Sequence, residues 1–246
     1  MTKRGWSVRL RQGIEWNTFT ILARCPRSNA LGVAIATYSL AVGSTCPAIK
    51  SGVGAMASQA YGDPRLRPLI MSLLESGSSP DEALSNVRDT DPHTDYRQIG
   101  IVDHRGRTAV YTGDKARHWA GHLVGEGWVV MGNSLVGEGV IEAMAHTFEL
   151  RETENLEDRL LSVLESGGEA GGQPQGQRSA VLTVYREESY PWVDLRVDAH
   201  EEPVRELRRI YELYKPMIPY YYYMRPRDPE NLPTQDEWLR QQRQDH

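Results

Sequence analysis

The order of hydrophobic periodicities along this 246-residue chain predicts an α+β fold with two largely antiparallel sheets. Stretches of two-residue alternation and stretches of helical periodicity fall into separate blocks, whereas a chain wound from βαβ units would alternate them. The helical stretches come in pairs, and each carries one apolar face that has to be covered. Within the strand blocks, neighbours follow one another across short turns, as antiparallel strands do. Two sheets with helix pairs on the outside bury every amphipathic face.

The first strand opens at Thr18, after which Phe19, Ile21 and Ala23 alternate with Thr20, Leu22 and Arg24. Residues 25–30 contain Pro26 and Asn29, both turn formers, and join it to a second strand over residues 31–38 as a hairpin. A small-residue loop over 41–47 precedes a third strand, 52–59, whose glycines allow close backbone approach. Leu66, Leu69, Ile70, Leu73 and Leu74 recur at helical spacing and end at Gly77. Ser79-Pro80-Asp81-Glu82 then forms a capping box that opens a helix through Ala83, Leu84 and Val87. Four strands follow, over 97–103, 107–112, 119–124 and 128–132, with tight turns at 104–106 and 125–127. Residues 136–150 and 156–164 read as a second helix pair, the latter capped by Asn155. The Gly- and Gln-rich segment 166–176 reads as a mobile surface loop before strands at 180–185 and 193–197. A helix from about Pro203 then lines up Val204, Leu207, Ile210, Tyr211 and Tyr214. From Lys215 the Tyr220–Tyr223 run reads either as a tail packed over its own domain or, with Tyr211 to Met224, as a homodimer interface. Residues 228–246 are polar and expected to be flexible apart from a turn around Trp238.

Composition excludes several classes. Hydrophobic residues make up 39%, charged residues 25%, and the net charge is −5, which leaves no basic footprint for nucleic acid. No run approaches the roughly 18 apolar residues of a membrane span. Residues 1–17 carry Lys3, Arg4, Arg9 and Arg11 but no continuous apolar core, so they make a poor secretory signal and a cytoplasmic location is expected. Two cysteines, Cys25 and Cys46, rule out a disulfide framework and leave one bridge open. His118 and His122 are four apart, but in a strand pattern and without a partnering glutamate, so no metal site and no cofactor are expected.

Thr18 has two readings. Inside a chain it is a strand residue; as a chain's first residue its own α-amine, with a pKa of about 7.7–8.0, takes the hydroxyl proton and makes the oxygen a nucleophile.

Thr18 to Arg24, Leu31 to Ala36, Ala41-Val42-Gly43 and Gly52-Val53-Gly54-Ala55 together resemble the bacterial family known as domain of unknown function 1028. Tyr96 to Asp103, Trp119 to His122, Gly132-Asn133, Gly176 to Ala180 and Val193 to Asp198 resemble its later motifs in the same order, so the likeness covers about residues 18–227. The resemblance implies an N-terminal-nucleophile hydrolase with a four-layer αββα sandwich and amide-bond hydrolysis. Members typically begin Met-Thr-Phe; here Asn17 replaces that Met and sixteen residues precede it, so either Asn17–Thr18 is cut autocatalytically, another protease trims the leader, translation starts later, or Thr18 never acquires a free amine. The chain then divides into a leader (1–17), the main domain (18–214) and a tail (215–246).

On this reading Thr18 supplies nucleophile and base, and Asn133, at a strand end, supplies a side-chain donor to the oxyanion. Gln59, Asp194 and Arg196 are the candidate substrate contacts. The expected reaction is hydrolysis of an amide, lactam or ureido bond in a small molecule; the alternative is a non-catalytic metabolite-binding or scaffold protein on the same fold.

Overall fold

The computed structural model describes residues 17–116 and 119–244; the expected leader lies outside them, apart from Asn17. Its strands are β1 (Thr18–Arg24), β2 (Leu31–Thr37), β3 (Pro47–Lys50), β4 (Gly54–Ala60), β5 (Arg97–Asp103), β6 (Thr108–Thr112), β7 (Trp119–Gly125), β8 (Trp128–Leu135), β9 (Ser179–Tyr185) and β10 (Pro191–Val197). The principal helices are α1 (Val42–Thr45), α2 (Leu66–Glu75), α3 (Pro80–Thr90), α4 (Gly139–Leu150), α5 (Leu156–Glu169) and α6 (Pro203–Tyr214). No helix among the described residues is long and apolar enough to cross a membrane.

Alternation decides what each strand faces. In β1, Phe19, Ile21 and Ala23 join a core with α4, α5 and α6, while Leu22 on the opposite face packs with Val33, Ile35, Ala55, Ala57, Val102 and Met131. The strands form a six-stranded sheet, β10-β9-β2-β1-β8-β7, and a four-stranded sheet, β3-β4-β5-β6, and every pairing is antiparallel. Three apolar clusters hold these pieces together. One lies between the larger sheet and α4, α5 and α6, a second between the two sheets, and a third between the smaller sheet and the pair α2 and α3.

Several local features follow from sequence as expected. The capping box at Ser79 forms in both directions, with Glu82 N–H donating to Ser79 Oγ at 3.2 Å and Ser79 N–H donating to Glu82 Oε2 at 2.7 Å. Others differ. Asn155 occupies the N-cap of α5, but its side chain makes no capping bond. The loop expected over 41–47 contains α1 and the start of β3, whose short strand is set by pairing with β4 (Ala48 with Met56, Ile49 with Ala55) rather than by local pattern. Helix α5 runs on to Glu169 through Gly167, where a Cβ would come within 2.9 Å of Met144 Sδ and 3.2 Å of Phe19 Cε2. Glycine there lets α5 lie against β1 and α4, and Gln173 beyond it is buried, so this segment is not a free surface loop.

The tail folds over its own domain. Tyr222 Oη donates to Pro191 O at 2.9 Å and pairs with Tyr214 Oη at 3.0 Å, and Tyr211, Met217, Ile218 and Tyr220 are buried. Of the large hydrophobic residues in the stretch read as a dimer interface, Leu213 and Tyr223 remain exposed. A last helix, Gln235–Gln244, replaces the expected flexible end; it starts at a second box, Thr234 with Glu237, and Trp238 Nε1 donates to Pro216 O at 2.8 Å.

The two sheets pack tightly at Gly100 of β5, where a Cβ would stand 2.9 Å from Leu22 Cδ1 and 3.1 Å from Met131 Sδ. Gly100→Val therefore overpacks the inter-sheet core. It is expected to cost about 1–3 kcal/mol of unfolding free energy in a denaturant titration, and an unchanged midpoint would show that the sheets are not in contact there.

Candidate functional site

Thr18 begins the central part of the larger sheet, directly opposite Thr37 of β2 on one side and Asn133 of β8 on the other. Residues paired across antiparallel strands put their side chains on the same face, so all three point toward the smaller sheet. Thr18 is 3% exposed, and its Oγ1 lies 3.0 Å from Thr37 Oγ1. Thr37 Oγ1 donates its single hydrogen to Asn17 O at 2.5 Å, so in the threonine pair Thr18 is the donor. The Asn17 carbonyl also accepts the Tyr38 N–H at 3.2 Å. Two donors therefore converge on the carbonyl of the Asn17–Thr18 peptide bond. The Asn17 side chain is buried with Nδ2 donating to Gln175 Oε1, while its Oδ1 has no partner.

A cavity of about 350 Å³ opens beside Thr18. Thr37, Ser58, Gln59, Tyr61 and Arg97 contribute its polar wall, and Val42, Cys46 and Pro64 its apolar one. Ser58 Oγ is buried there without a hydrogen-bond partner. Loss of solvent around the Cys46 sulfur pushes its pKa up to about 11 against weaker opposing effects of Thr45 and Arg67, so it stays a neutral thiol near pH 7.

Behind this wall runs a chain of buried amides. Thr20 Oγ1 donates to Gln59 Oε1 at 2.5 Å, Gln59 Nε2 to Gln98 Oε1 at 2.7 Å, and Gln98 Nε2 to Gly132 O at 2.9 Å and Thr112 Oγ1 at 2.9 Å. Asn133 Nδ2 joins it by donating to Gln98 Oε1 at 3.1 Å, which leaves one amide hydrogen over; its Oδ1 is buried without a partner. The residues following Gln59 and Asn133, Ala60 and Ser134, both have left-handed backbones (φ 61° and 51°). Such conformations in residues other than glycine cost energy and are held by their surroundings.

Of the residues singled out from sequence, the structure brings Thr18 and Gln59 to the cavity wall and sets Asn133 beside Thr18 in the sheet, bonded inward. It does not bring Asp194 and Arg196 there. They lie on the edge strand β10, separated from β1 by β9 and β2, where Arg196 donates to both oxygens of Asp194 at 3.1 and 3.2 Å. Arg97, not singled out, takes up the wall position instead. Its Nε donates to Asp91 Oδ2 at 2.9 Å, its Nη1 donates to Tyr61 O, and Asp63 Oδ2 lies 3.9 Å from Nη2. Thr37 was also overlooked, although the length of the 25–30 turn would have aligned it with Thr18. His118 lies outside the described residues, and among those described no group of three or more His, Cys, Asp or Glu residues is arranged to hold a metal ion.

Fold and site together define an α+β protein of two antiparallel sheets with a hydroxyl residue at the head of a central strand, facing a small cavity. The chain belongs to the family of unknown function DUF1028, whose family model matches residues 18–207. It is similar to the crystal structure of protein SPO2555 from Silicibacter pomeroyi, assigned to the same family, at 31% identity and a TM-score of 0.75, over 81% of this chain and 89% of that one. A fainter likeness is to Anbu, the ancestral beta-subunit, from Yersinia bercovieri: 12% identity and a TM-score of 0.40, over 83% of this chain and 97% of that one. Comparison with curated proteins found no match.

The Arg97 wall has a pH signature. The hydrogen bond from Arg65, helped by the charge of Arg97, holds the Asp63 carboxyl at about 2 against an ordinary 3.8. A carboxylate depressed in the folded state stabilises it fully above its unfolded value and ceases to do so as pH falls through the folded one. Asp63→Asn should therefore lower the thermal midpoint at pH 7, with the difference shrinking below about pH 4 and disappearing as the pH falls through about 2. A difference that stays constant across that series would mean the ion pairs contribute nothing.

Proposed function

We propose that the protein is an N-terminal-nucleophile hydrolase on a four-layer αββα sandwich, acting on an amide, lactam or ureido C–N bond of a small molecule once residues 1–17 are removed. The observation that carries this reading is the Thr18 hydroxyl, hydrogen-bonded to Thr37 at the wall of the cavity. The sequence of clusters from helices through two sheets to helices supports the layer order, and the family match beginning at Thr18 supports that residue as the functional start. A cavity of about 350 Å³ suits a small ligand rather than a folded protein.

In the uncut chain, attack of Thr18 Oγ1 on the Asn17 carbonyl carbon would pass the Thr18 proton to Thr37 as Thr37 hands its own hydroxyl hydrogen to the carbonyl oxygen, which Tyr38 N–H also stabilises. The C–N bond then breaks, the Thr18 nitrogen takes a proton, and water hydrolyses the resulting ester to free both the amine and the hydroxyl. In the mature protein the amine accepts the hydroxyl proton, Oγ1 attacks the substrate carbonyl, the leaving amine is protonated, and water releases the acyl group. Asn133, through its second amide hydrogen, is the proposed oxyanion donor, and Gln59 is the proposed substrate contact.

Intact-mass measurement tests the activation step, and a screen of small amides, lactams and ureido compounds tests turnover. The expected outcome is loss of residues 1–17 in wild type and a full-length, inactive Thr18→Ala. In Thr37→Val the cut should slow by roughly 100-fold, the scale of losing one oxyanion donor. A fully active protein that retains residues 1–17 overturns the mechanism. The binding-protein reading draws on one observation, the complete burial of Asn17 as a continuation of β1, and is favoured if wild type and Thr18→Ala bind the same compound without turnover. Self-association into a homodimer through the face carrying Leu213 and Tyr223 belongs to the same proposal, and light scattering at micromolar concentration is expected to give twice the chain mass; a monomeric mass removes it.

A further inference from the structure

The Arg24 end of β1 opens onto a second cavity, of about 430 Å³. At about 3.3 Å per residue along the strand, it lies roughly 20 Å from Thr18. Four arginines line it, Arg24, Arg27, Arg105 and Arg159, with three glutamates, Glu126, Glu149 and Glu152. Elsewhere arginines near carboxylates pair with them, as Arg208 does with Glu165 and Arg186 with Glu157. Among the described residues, none of the four cavity arginines forms an ion pair. Their hydrogen bonds go to neutral groups. Arg24 Nη2 donates to Asn29 Oδ1 at 2.6 Å, Arg27 Nη2 to Glu154 O at 2.6 Å, Arg159 Nη2 to Phe148 O at 2.7 Å, and Arg105 Nε to His104 Nε2 at 3.4 Å.

Arg159 is the decisive member. It is 5% exposed, its guanidinium lies 3.7 Å from the centre of the Phe148 ring, and its buried Nε has no partner, so Nη1 is the nitrogen left for the cavity. Burial disfavours the Arg159 charge, and Cys25, Glu152 and Glu154 partly offset that without an ion pair in contact, so an anionic ligand would supply the direct counter-charge that the cavity lacks. The Cys25 thiol, on the same wall, reports the local field. Burial raises its pKa, but hydrogen bonds from Ser28 and Arg27, side chain and backbone, outweigh that and leave it lowered, so the donors here favour negative charge.

We propose that this cavity binds a small organic oxyanion, a carboxylate or phosphate group held by Arg27, Arg105 and Arg159, with the glutamates accepting hydrogen bonds from donors elsewhere on the same ligand. Guanidinium groups suit both anions because their paired N–H groups match two oxygens at once. The site shares no lining residue with the cavity at Thr18 and stands whether or not Thr18 is catalytic.

Isothermal titration of the full-length protein with inorganic phosphate, and separately with citrate, at constant ionic strength tests it, and the two titrations tell phosphate from carboxylate preference. Saturable one-site binding is expected for at least one anion, unchanged in Thr18→Ala and weakened at least about tenfold in Arg159→Gln. The double variant Arg27→Gln/Arg105→Gln, which changes only exposed side chains, should weaken it comparably and covers the case in which Arg159→Gln does not fold. Absence of saturable heat with both anions, or binding that the double variant leaves intact, overturns the proposal.

Discussion

Everything at the Thr18 end depends on the buried chain of amides that ties the two sheets together. Gln59 and Gln98 belong to the smaller sheet, Thr20 and Asn133 to the larger, and their hydrogen bonds cross the apolar layer between them. In surroundings of low polarity an unpaired amide is costly, so each bond constrains the next. Because the Thr20 hydroxyl donates to Gln59 Oε1, the Gln59 nitrogen must face Gln98. Because Gln98 Oε1 accepts from both Gln59 and Asn133, its own nitrogen must serve the Gly132 carbonyl and Thr112. No member can turn over without leaving buried groups unpaired. The cavity wall thus has a defined polarity before any ligand enters.

That network sits within an otherwise apolar interface, and the division of labour along β1 explains how. The strand is paired along its length on both sides, and its odd-numbered residues are committed to the helix layer. Of the even-numbered positions, Leu22 packs the sheets together, the two threonines carry the polar chemistry, and Arg24 reaches the second cavity. The left-handed backbone at Ala60 ends β4 where the cavity begins, whereas the one at Ser134 lies inside β8 and coincides with a shift of its register against β7 between Asn133 and Leu135.

Much of this was legible in the residues. The bounds of β1, the capping box at Ser79 and the antiparallel strand block were readable because each rests on local pattern or local hydrogen bonding. What escaped depends on partners distant in sequence. Strand β3 is a strand because β4 lies beside it, and α5 passes through Gly167 because Phe19 and Met144 crowd that spot. Two-residue alternation put Asp194 and Arg196 on adjacent same-face positions but could not say that two strands, β9 and β2, would stand between theirs and that of Thr18. Arg97 looked like the first residue of a strand, and its place in the wall comes from Asp91 and Asp63 on separate loops.

The double-sided pairing of β1 also bears on how such a site diversifies. A slip of one residue would turn Phe19 and Ile21 into the amide network and Thr18 into the helix layer, so the strand's register admits no gradual variation. The opposite wall is made differently. Residues 42–46 and 61–64 reach the cavity from a one-turn helix and a loop, segments that tolerate substitution and changes of length far better than a central strand does. New ligand preferences would therefore enter through those segments, while the hydroxyl and its supporting amides stay where they are.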